Sequence, residues 1–321
     1  MNKKVIAMAV TAAMVAPLAQ AEVELSGRAY AEWSTGTGMT GAVIPGVNDA
    51  GDYGQISDSR GHGRFRMKAS DDLGNGMTMY SKAEFQIDVT DGGQTKSATT
   101  VGARDGYVGL KGDFGTFAMG RFNGAYKTTN VDPFIATQLE ARGNGGASSG
   151  SLAHNGFNSS MMQYTTKVGG GALNFQTNAL NSDVNNGVAT QHLLSYKMGA
   201  IIFGYATTDA AATGNSNMKL AYKAKNFTVS YESVGANTDT SVGEDATYIY
   251  ANYRMGDYTV AFGTRSGTTA ASDATYVMLG GKKNFSKSSS MYYGYRSSDV
   301  GTNATLGNGT TALVVGLRQD F

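Results

Sequence analysis

The most constraining feature of this sequence is an alternation of apolar and polar side chains with a period of two residues. Between Met77 and Asp88, apolar residues fall mainly on one parity, whereas polar and charged residues fill the other. The same pattern runs from Val23 to Trp33 and returns in the last segment, which ends at Phe321. Because successive side chains of a β-strand point to opposite faces, this alternation predicts strands with one apolar face.

The alternation recurs in about sixteen segments, which at ~19 residues per strand and connection fits tilted membrane strands. Their centres lie near Ala29, Phe65, Phe85, Val108, Phe117, Tyr164, Phe175, Tyr196, Phe203, Leu220, Val229, Ile249, Val260, Val277, Tyr293 and Val315. Short glycine-rich turns alternate with long polar loops. The pattern predicts an all-β fold, a transmembrane antiparallel β-barrel of about sixteen strands.

A soluble β-sandwich is the main alternative, because its strands also alternate. A sandwich core does not explain why the second face carries Arg, Lys, Glu and Asp on nearly every strand. The chain has 44 glycines, 18 tyrosines and only 3 prolines, a composition that suits long hydrogen-bonded ladders joined by turns. We therefore favour the barrel.

The N-terminus has the composition of a secretory signal peptide. Lys3 and Lys4 precede an apolar run from Val5 to Leu18, and Ala19-Gln20-Ala21 matches a cleavage site. The run is too short to span ~30 Å of hydrocarbon as a helix. We predict cleavage after Ala21, with a signal peptide at residues 1–21 and one barrel domain at residues 22–321.

One connection is much longer than the others. The stretch from Asn123 to Asn158 lacks strand alternation, and its middle, Val131 to Leu139, is apolar enough to pack against other residues. Loops of this length are commonly functional. We predict that this third loop folds into the barrel lumen and narrows it.

The sequence offers little for catalysis or cofactor binding. Cysteine is absent, and the histidines His62, His154 and His192 show neither zinc-ligand spacing nor a local nucleophile motif. The formal net charge of +1 does not favour a nucleic-acid partner. We expect no enzymatic activity and no cofactor.

Several strings resemble the Gram-negative general-diffusion porin family. They are Leu25-Ser26-Gly27-Arg28, the run from Gly63 to Lys68, the turn from Asp71 to Gly76, the run from Arg104 to Thr116 with Gly120-Arg121, and the terminal Phe321. The resemblance implies a sixteen-stranded homotrimeric pore for passive diffusion of ions and small hydrophilic solutes. It also implies an outer-membrane location, contacts with lipid and lipopolysaccharide, and a final aromatic residue that the barrel-insertion machinery reads.

The family sets basic residues of the wall against carboxylates of the inward loop. Arg28, Arg64 and Arg104 match family positions that carry such residues, and strand parity adds Arg66 and Lys82. Asp132 and Glu140 are the candidate carboxylates. Opposed charges across a narrow pore would create a transverse field that orients polar solutes.

Other residues suit a contact between subunits. Arg121 and Asp105 face outward by parity, where an arginine at the bilayer midplane would cost ~2–4 kcal/mol against lipid. Gly27 and Ala29 on the first strand are small enough for close packing. We predict that these four residues belong to the trimer interface.

Two other functions remain open from the sequence. A solute-specific channel is the first, because Tyr80 and Tyr292 face inward by parity. A barrel hydrolase is the second, although the strand number and the missing catalytic dyad disfavour it.

Overall fold

The computed structural model describes residues 22–36, 55–57, 63–87, 89–90, 101–134, 137, 139, 157–177, 191–208, 215–235, 245–267, 273–298 and 311–321. The predicted signal peptide, residues 1–21, and Glu140 lie outside the described residues. Among the residues that are described, no helix is long and apolar enough to cross a membrane.

Seventeen β-strands occur in these ranges. They are β1 (Glu22–Thr35), β2 (Gln55–Ser57), β3 (Arg64–Gly74), β4 (Met77–Ile87), β5 (Val101–Gly112), β6 (Gly115–Asn123), β7 (Phe157–Val168), β8 (Gly171–Thr177), β9 (Gln191–Met198), β10 (Ile201–Thr208), β11 (Asn215–Lys223), β12 (Phe227–Val234), β13 (Ala246–Met255), β14 (Tyr258–Gly267), β15 (Ala274–Asn284), β16 (Ser289–Ser298) and β17 (Thr311–Asp320). A 3-10 turn covers Tyr126–Thr129.

The long strands form a closed antiparallel ring. From β3 onward each pairs with the next, and β17 pairs with β1 from Arg28↔Asp320 to Thr35↔Leu313. The first half of β1, Glu22–Arg28, pairs with β3. The short strand β2 pairs only with Glu32–Ser34 of β1. All sixteen predicted centres fall in the sixteen long strands, so the predicted barrel is confirmed. The three residues of β2 are too few to show alternation.

Burial is inverted relative to a soluble protein. Along β12, Phe227, Val229 and Tyr231 are exposed, whereas Glu232 is buried on the opposite face. Exposed aromatic rings pair near the short turns, with centroids 5.6 Å apart for Tyr222 and Phe227. An apolar outer face with aromatic residues towards one end suits a lipid environment, and it excludes the sandwich.

Tight turns join the strands at one end of the barrel. Gly74, Asn75 and Gly76 have φ angles of 75°, 53° and 74° and connect β3 to β4. The left-handed region is accessible to glycine and is tolerated by asparagine, so this Gly-Asn-Gly sequence suits the turn. The turn that the sequence indicates between Asp71 and Gly76 is confirmed.

Two β-bulges change the direction of side chains on the inner wall. The register of β4 with β5 shifts between Ala83 and Phe85, and that of β6 with β7 shifts between Gly120 and Phe122. A bulge places two residues of one strand opposite one of its neighbour. Arg104 and Asp105 therefore lie together near Glu84, and the outward direction predicted for Asp105 is wrong.

Candidate functional site

A group of cations surrounds one carboxylate on the inner face of β3, β4 and β5. We call Arg64, Arg66, Lys82 and Arg104 the basic cluster. Nitrogens of these four side chains lie 3.7, 2.7, 3.2 and 3.3 Å, respectively, from the carboxylate oxygens of Glu84. Arg104 also donates to Gln86 Oε1 at 3.3 Å. One buried carboxylate thus organises four cations.

The strand pairing explains this arrangement. Arg66 lies directly opposite Glu84 in the β3–β4 register, and Lys82 shares the inward parity of Glu84 on β4. The bulge in β5 brings Arg104 to the same carboxylate. Glu84 is only 2% exposed, whereas the side chains of Arg64 and Arg66 are 24% and 30% exposed. A solute in the lumen would therefore contact the cations and not the carboxylate.

Sequence reasoning placed Glu84 on the polar face but did not identify it as a site residue. The resemblance directed attention to carboxylates of the loop, and parity alone does not report strand register. The available signal was cross-strand: opposite charges at facing positions of neighbouring strands stabilise a sheet.

Asp105 connects the basic cluster to the long loop. Its carboxylate accepts a hydrogen bond from Lys82 Nζ at 2.6 Å and another from the backbone N–H of Asn123 at 2.8 Å. Asn123 is the last residue of β6 and the first of the connection to β7. The subunit-interface role predicted for Asp105 is thus not supported, because its side chain bonds within the inner wall.

Arg28 borders the basic cluster but has a partner of its own. It lies opposite Arg64 in the β1–β3 register, and its Nε is 2.8 Å from Asp320 Oδ1 on β17. Arg318 also donates to Asp320, at 2.7 and 3.0 Å. Arg28 therefore contributes to the barrel seam as well as to the positive inner wall.

The start of the long loop packs along the inner wall. Tyr126, fully buried, donates its hydroxyl to Glu232 Oε1 at 2.7 Å, and Lys219 Nζ lies 3.4 Å from the other oxygen of that carboxylate. Gln176 on β8 accepts from the N–H of Ala125 at 2.8 Å. These bonds attach residues 123–129 to β8 and β12, and Lys219 of β11 supports the Glu232 carboxylate.

Further along the loop, apolar side chains lie against glycines of the wall. A Cβ placed on Gly280 would lie 2.4 Å from Phe134, and one on Gly294 would lie 2.8 Å from Leu139. The missing side chains leave the space that these residues fill. The described part of the loop therefore contacts the wall from β8 to β16.

Asp132 does not face the basic cluster. It is 5% exposed, and its Oδ1 accepts from the N–H of Phe134 at 2.9 Å. It borders a small cavity with Lys219, Ser230 and Tyr250 on β11 to β13, and β12 lies eight strands from β4 around the ring. The prediction that Asp132 lines the aperture opposite the arginines is wrong, because the loop turns its carboxylate toward the far wall.

Arg121 lies at the second bulge and bonds within its own chain. It donates to the carbonyl oxygen of Arg104 at 2.8 Å and to Ser159 Oγ at 2.6 Å. The ring of Phe157 lies 5.7 Å from its guanidinium, 4.6 Å from that of Arg104 and 5.0 Å from Lys127 Nζ. Phe157 thus lies close to cations of the barrel wall and to Lys127 of the loop.

The inward tyrosines occur in separate pairs. Tyr80 contacts Tyr107 edge to face at 6.0 Å, and Tyr292 contacts Tyr30 at 6.4 Å. Among the described residues, no group of three or more His, Cys, Asp or Glu could hold a metal ion. His192 stacks on Phe175, whereas His62 and His154 lie outside the described residues.

Solved structures of two bacterial porins and of a further outer membrane protein share this fold. The anion-selective porin from Comamonas acidovorans is 18% identical to this chain, with a TM-score of 0.64. The similarity covers 94% of this chain and 100% of the Comamonas chain. The second structure is a loop L8 deletion mutant of OmpT, an outer membrane protein of Vibrio cholerae. It is 16% identical, with coverages of 94% of this chain and 99% of its own and a TM-score of 0.62. A mutant of the Rh. blastica porin is 18% identical, with coverages of 94% and 100% and a TM-score of 0.63.

Sequence comparison assigns the family directly. No curated protein matches the chain. The family model described as Gram-negative porin matches residues 7–303, which is most of the chain. The barrel, its apolar outer face and its charged inner wall agree with that match, so this chain belongs to the Gram-negative porin family and forms an outer-membrane pore for passive diffusion.

Proposed function

We propose that the narrowest part of this pore lies between the basic cluster and the loop that begins at Asn123, and that it favours anions. The observation that carries this proposal is the convergence of four cations on Glu84. Counting Asp105 as well, four positive charges face two carboxylates, which leaves an excess of two positive charges among the described residues of this wall.

The position of the loop supports this aperture. Beyond Asn123, which bonds to Asp105, the anchors of the loop lie on β8 to β16, whereas the basic cluster lies on β3 to β5. A solute would therefore pass between the two sides. A confined channel with low-dielectric walls strengthens the effect of fixed charges on permeating ions. The Comamonas neighbour is described as anion-selective. The test is the reversal potential of single pores in a salt gradient.

Removing the central carboxylate should increase the preference for anions. The substitution Glu84→Gln removes one negative charge and leaves four cations beside a neutral amide, so the reversal potential should shift toward the anion limit. Without the carboxylate that holds them together, the arginine side chains should also spread apart, because like charges repel. Planar-bilayer recording of wild type and variant in a potassium chloride gradient measures the shift.

The matched control for this variant is Glu24→Gln. Glu24 pairs with Lys68 at 3.0 Å, and both side chains are largely exposed, so neutralising it should have little effect on selectivity. Equal shifts from the two variants would mean that Glu84 lies away from the ion path.

We also propose that the protein is a homotrimer that uses the outer face of β3 to β6. A depression of about 470 Å³ on this face has small residues, Ala69, Ala83 and Gly106, between the larger Met67 and Val108. Small residues allow close approach of neighbouring chains in a membrane. Ala29 and Arg121 remain candidates for this interface.

Filling that depression should weaken the assembly. The substitution Ala83→Trp should shift the protein from trimer to monomer in native mass spectrometry, because the indole would occupy the space of a neighbouring chain. Leu279→Trp on β15, also on the exposed outer face, is the control and should leave the trimer intact. Monomers in the wild type would refute the proposal directly.

The remaining partners follow from the outer surface and the C-terminus. We propose that the apolar outer face contacts lipid and lipopolysaccharide, and that the barrel-insertion machinery reads Phe321 before the barrel closes. Phe321 is 66% exposed on the outside of the seam, which leaves most of its ring accessible.

A further inference from the structure

The barrel is closed at a seam between its first and last strands. The N–H of Gly27 donates to the carbonyl of Phe321 at 2.8 Å, and the N–H of Phe321 donates back to Gly27 at 3.1 Å. The next pair along the strands is Arg28 with Asp320. The last two residues of the chain therefore pair directly with two consecutive residues of β1.

The ring of Phe321 lies over Gly27. A Cβ added to Gly27 would lie 2.2 Å from Cζ and 2.4 Å from Cε2 of that ring, far inside van der Waals contact. The glycine is not needed for backbone conformation, because its φ lies outside the left-handed region that favours glycine. The space above Gly27 is thus occupied by the aromatic side chain of the same chain.

The inner side of the seam carries an ionic contact. The Arg28–Asp320 pair and the bonds from Arg318 to Asp320 lie beside the Gly27–Phe321 pair. The hydroxyl of Tyr292 accepts from Arg318 at 3.3 Å and extends this network to β16. Outer and inner contacts thus meet at adjacent residues of the two strands.

We infer that the missing side chain of Gly27 makes room for the ring of Phe321, and that this packing, together with the Arg28–Asp320 pair, holds the barrel closed. An open seam would leave backbone N–H and C=O groups of both strands without partners in the membrane, which is costly. The inference gives Gly27 a role within one chain, in place of the subunit contact predicted from the sequence. It also gives Phe321 a structural role after insertion.

The experiment is refolding of the urea-unfolded protein into phosphatidylcholine vesicles, without any insertion machinery. The folded fraction is measured by heat-modifiable migration on gels. Gly27→Ala should lower the ratio of folded to unfolded barrel by about tenfold, as overpacking commonly does. The control is Ala172→Ser on β8, which also adds one heavy atom, at an exposed position outside the seam and the proposed interface, and its ratio should stay near that of the wild type.

A second clash must be separated from the first. The added Cβ on Gly27 would also lie 2.7 Å from the carbonyl oxygen of Arg64. We therefore compare Gly27→Ala in the wild-type and Phe321→Ala backgrounds, where the second background lacks the ring. The inference requires a clearly smaller penalty without the ring. Equal penalties would assign the need for glycine to the Arg64 carbonyl and overturn the inference. A Gly27→Ala protein that folds as well as the Ala172→Ser control would also overturn it.

Discussion

Replacing Arg64 and Arg104 together by glutamine is expected to shift the reversal potential of the pore strongly toward cations. The double variant removes two positive charges from the basic cluster, and Glu84 and Asp105 then face only Arg66 and Lys82. Charges a few ångströms apart near a protein surface interact by ~4 kcal/mol, which exceeds thermal energy several-fold. An ion passing this wall should respond to their loss.

Salt should modulate the effect. The Debye length falls from ~10 Å at 0.1 M to ~3 Å at 1 M, so the difference between wild type and variant should be largest in dilute salt. Lys225→Gln, in the turn between β11 and β12, is a control with the same change of charge at a site away from the cluster. A double variant with the wild-type reversal potential in dilute salt would show that the basic cluster does not line the path of the ions.

The period of the sequence was sufficient to predict the barrel. Most of each long strand exposes an apolar face to lipid, so its alternation is readable without knowledge of a partner strand. Gly-Asn-Gly and similar turns have local causes and were predicted for the same reason. The short strand β2 was missed because its only support is pairing with Glu32–Ser34 of β1.

The site was only partly predictable, because its geometry depends on register and on bulges. Strict alternation along β5 would point Asp105 outward if Arg104 points inward. A one-residue bulge in β5 instead brings both side chains to the inner wall. The choice of Glu84 as the shared carboxylate follows from its position opposite Arg66, which requires the alignment of β3 with β4. The position of the bulge and the alignment of the two strands both depend on pairing with a neighbour, which the alternation of one strand does not specify.

The packing of the long loop could be predicted from the sequence, but the direction of its charged side chain could not. Its apolar middle predicted packing, and Phe134 and Leu139 do pack against glycines of the wall. The direction of Asp132 is set by a local turn, in which its carboxylate accepts the N–H of Phe134, and by contact with the far wall. A charge within a loop cannot be assigned to one side of a pore until the loop is placed.

Deleting residues 130–146 is expected to raise the conductance and the largest solute that can pass, while the barrel stays folded. The deletion removes Phe134 and Leu139 from the inner wall but keeps Tyr126, whose bond to Glu232 holds the start of the loop. The strand ladder does not depend on the deleted residues, because β6 and β7 pair directly over Phe117↔Tyr164 and neighbouring positions. The loss of packed loop volume should therefore appear as a wider channel and not as unfolding.

Single-channel conductance in 1 M potassium chloride, together with entry of sugars of increasing size into vesicles, measures both effects. A deletion within residues 236–243, which connect β12 to β13, is the control and should change neither, because the aperture is expected between the basic cluster and the other loop. Circular dichroism and heat-modifiable migration show whether each variant inserts. Since the basic cluster stays in place while the opposite side of the aperture recedes, the wider pore should also discriminate less between anions and cations. A correctly inserted deletion variant with wild-type conductance would show that residues 130–146 lie outside the path of the solutes.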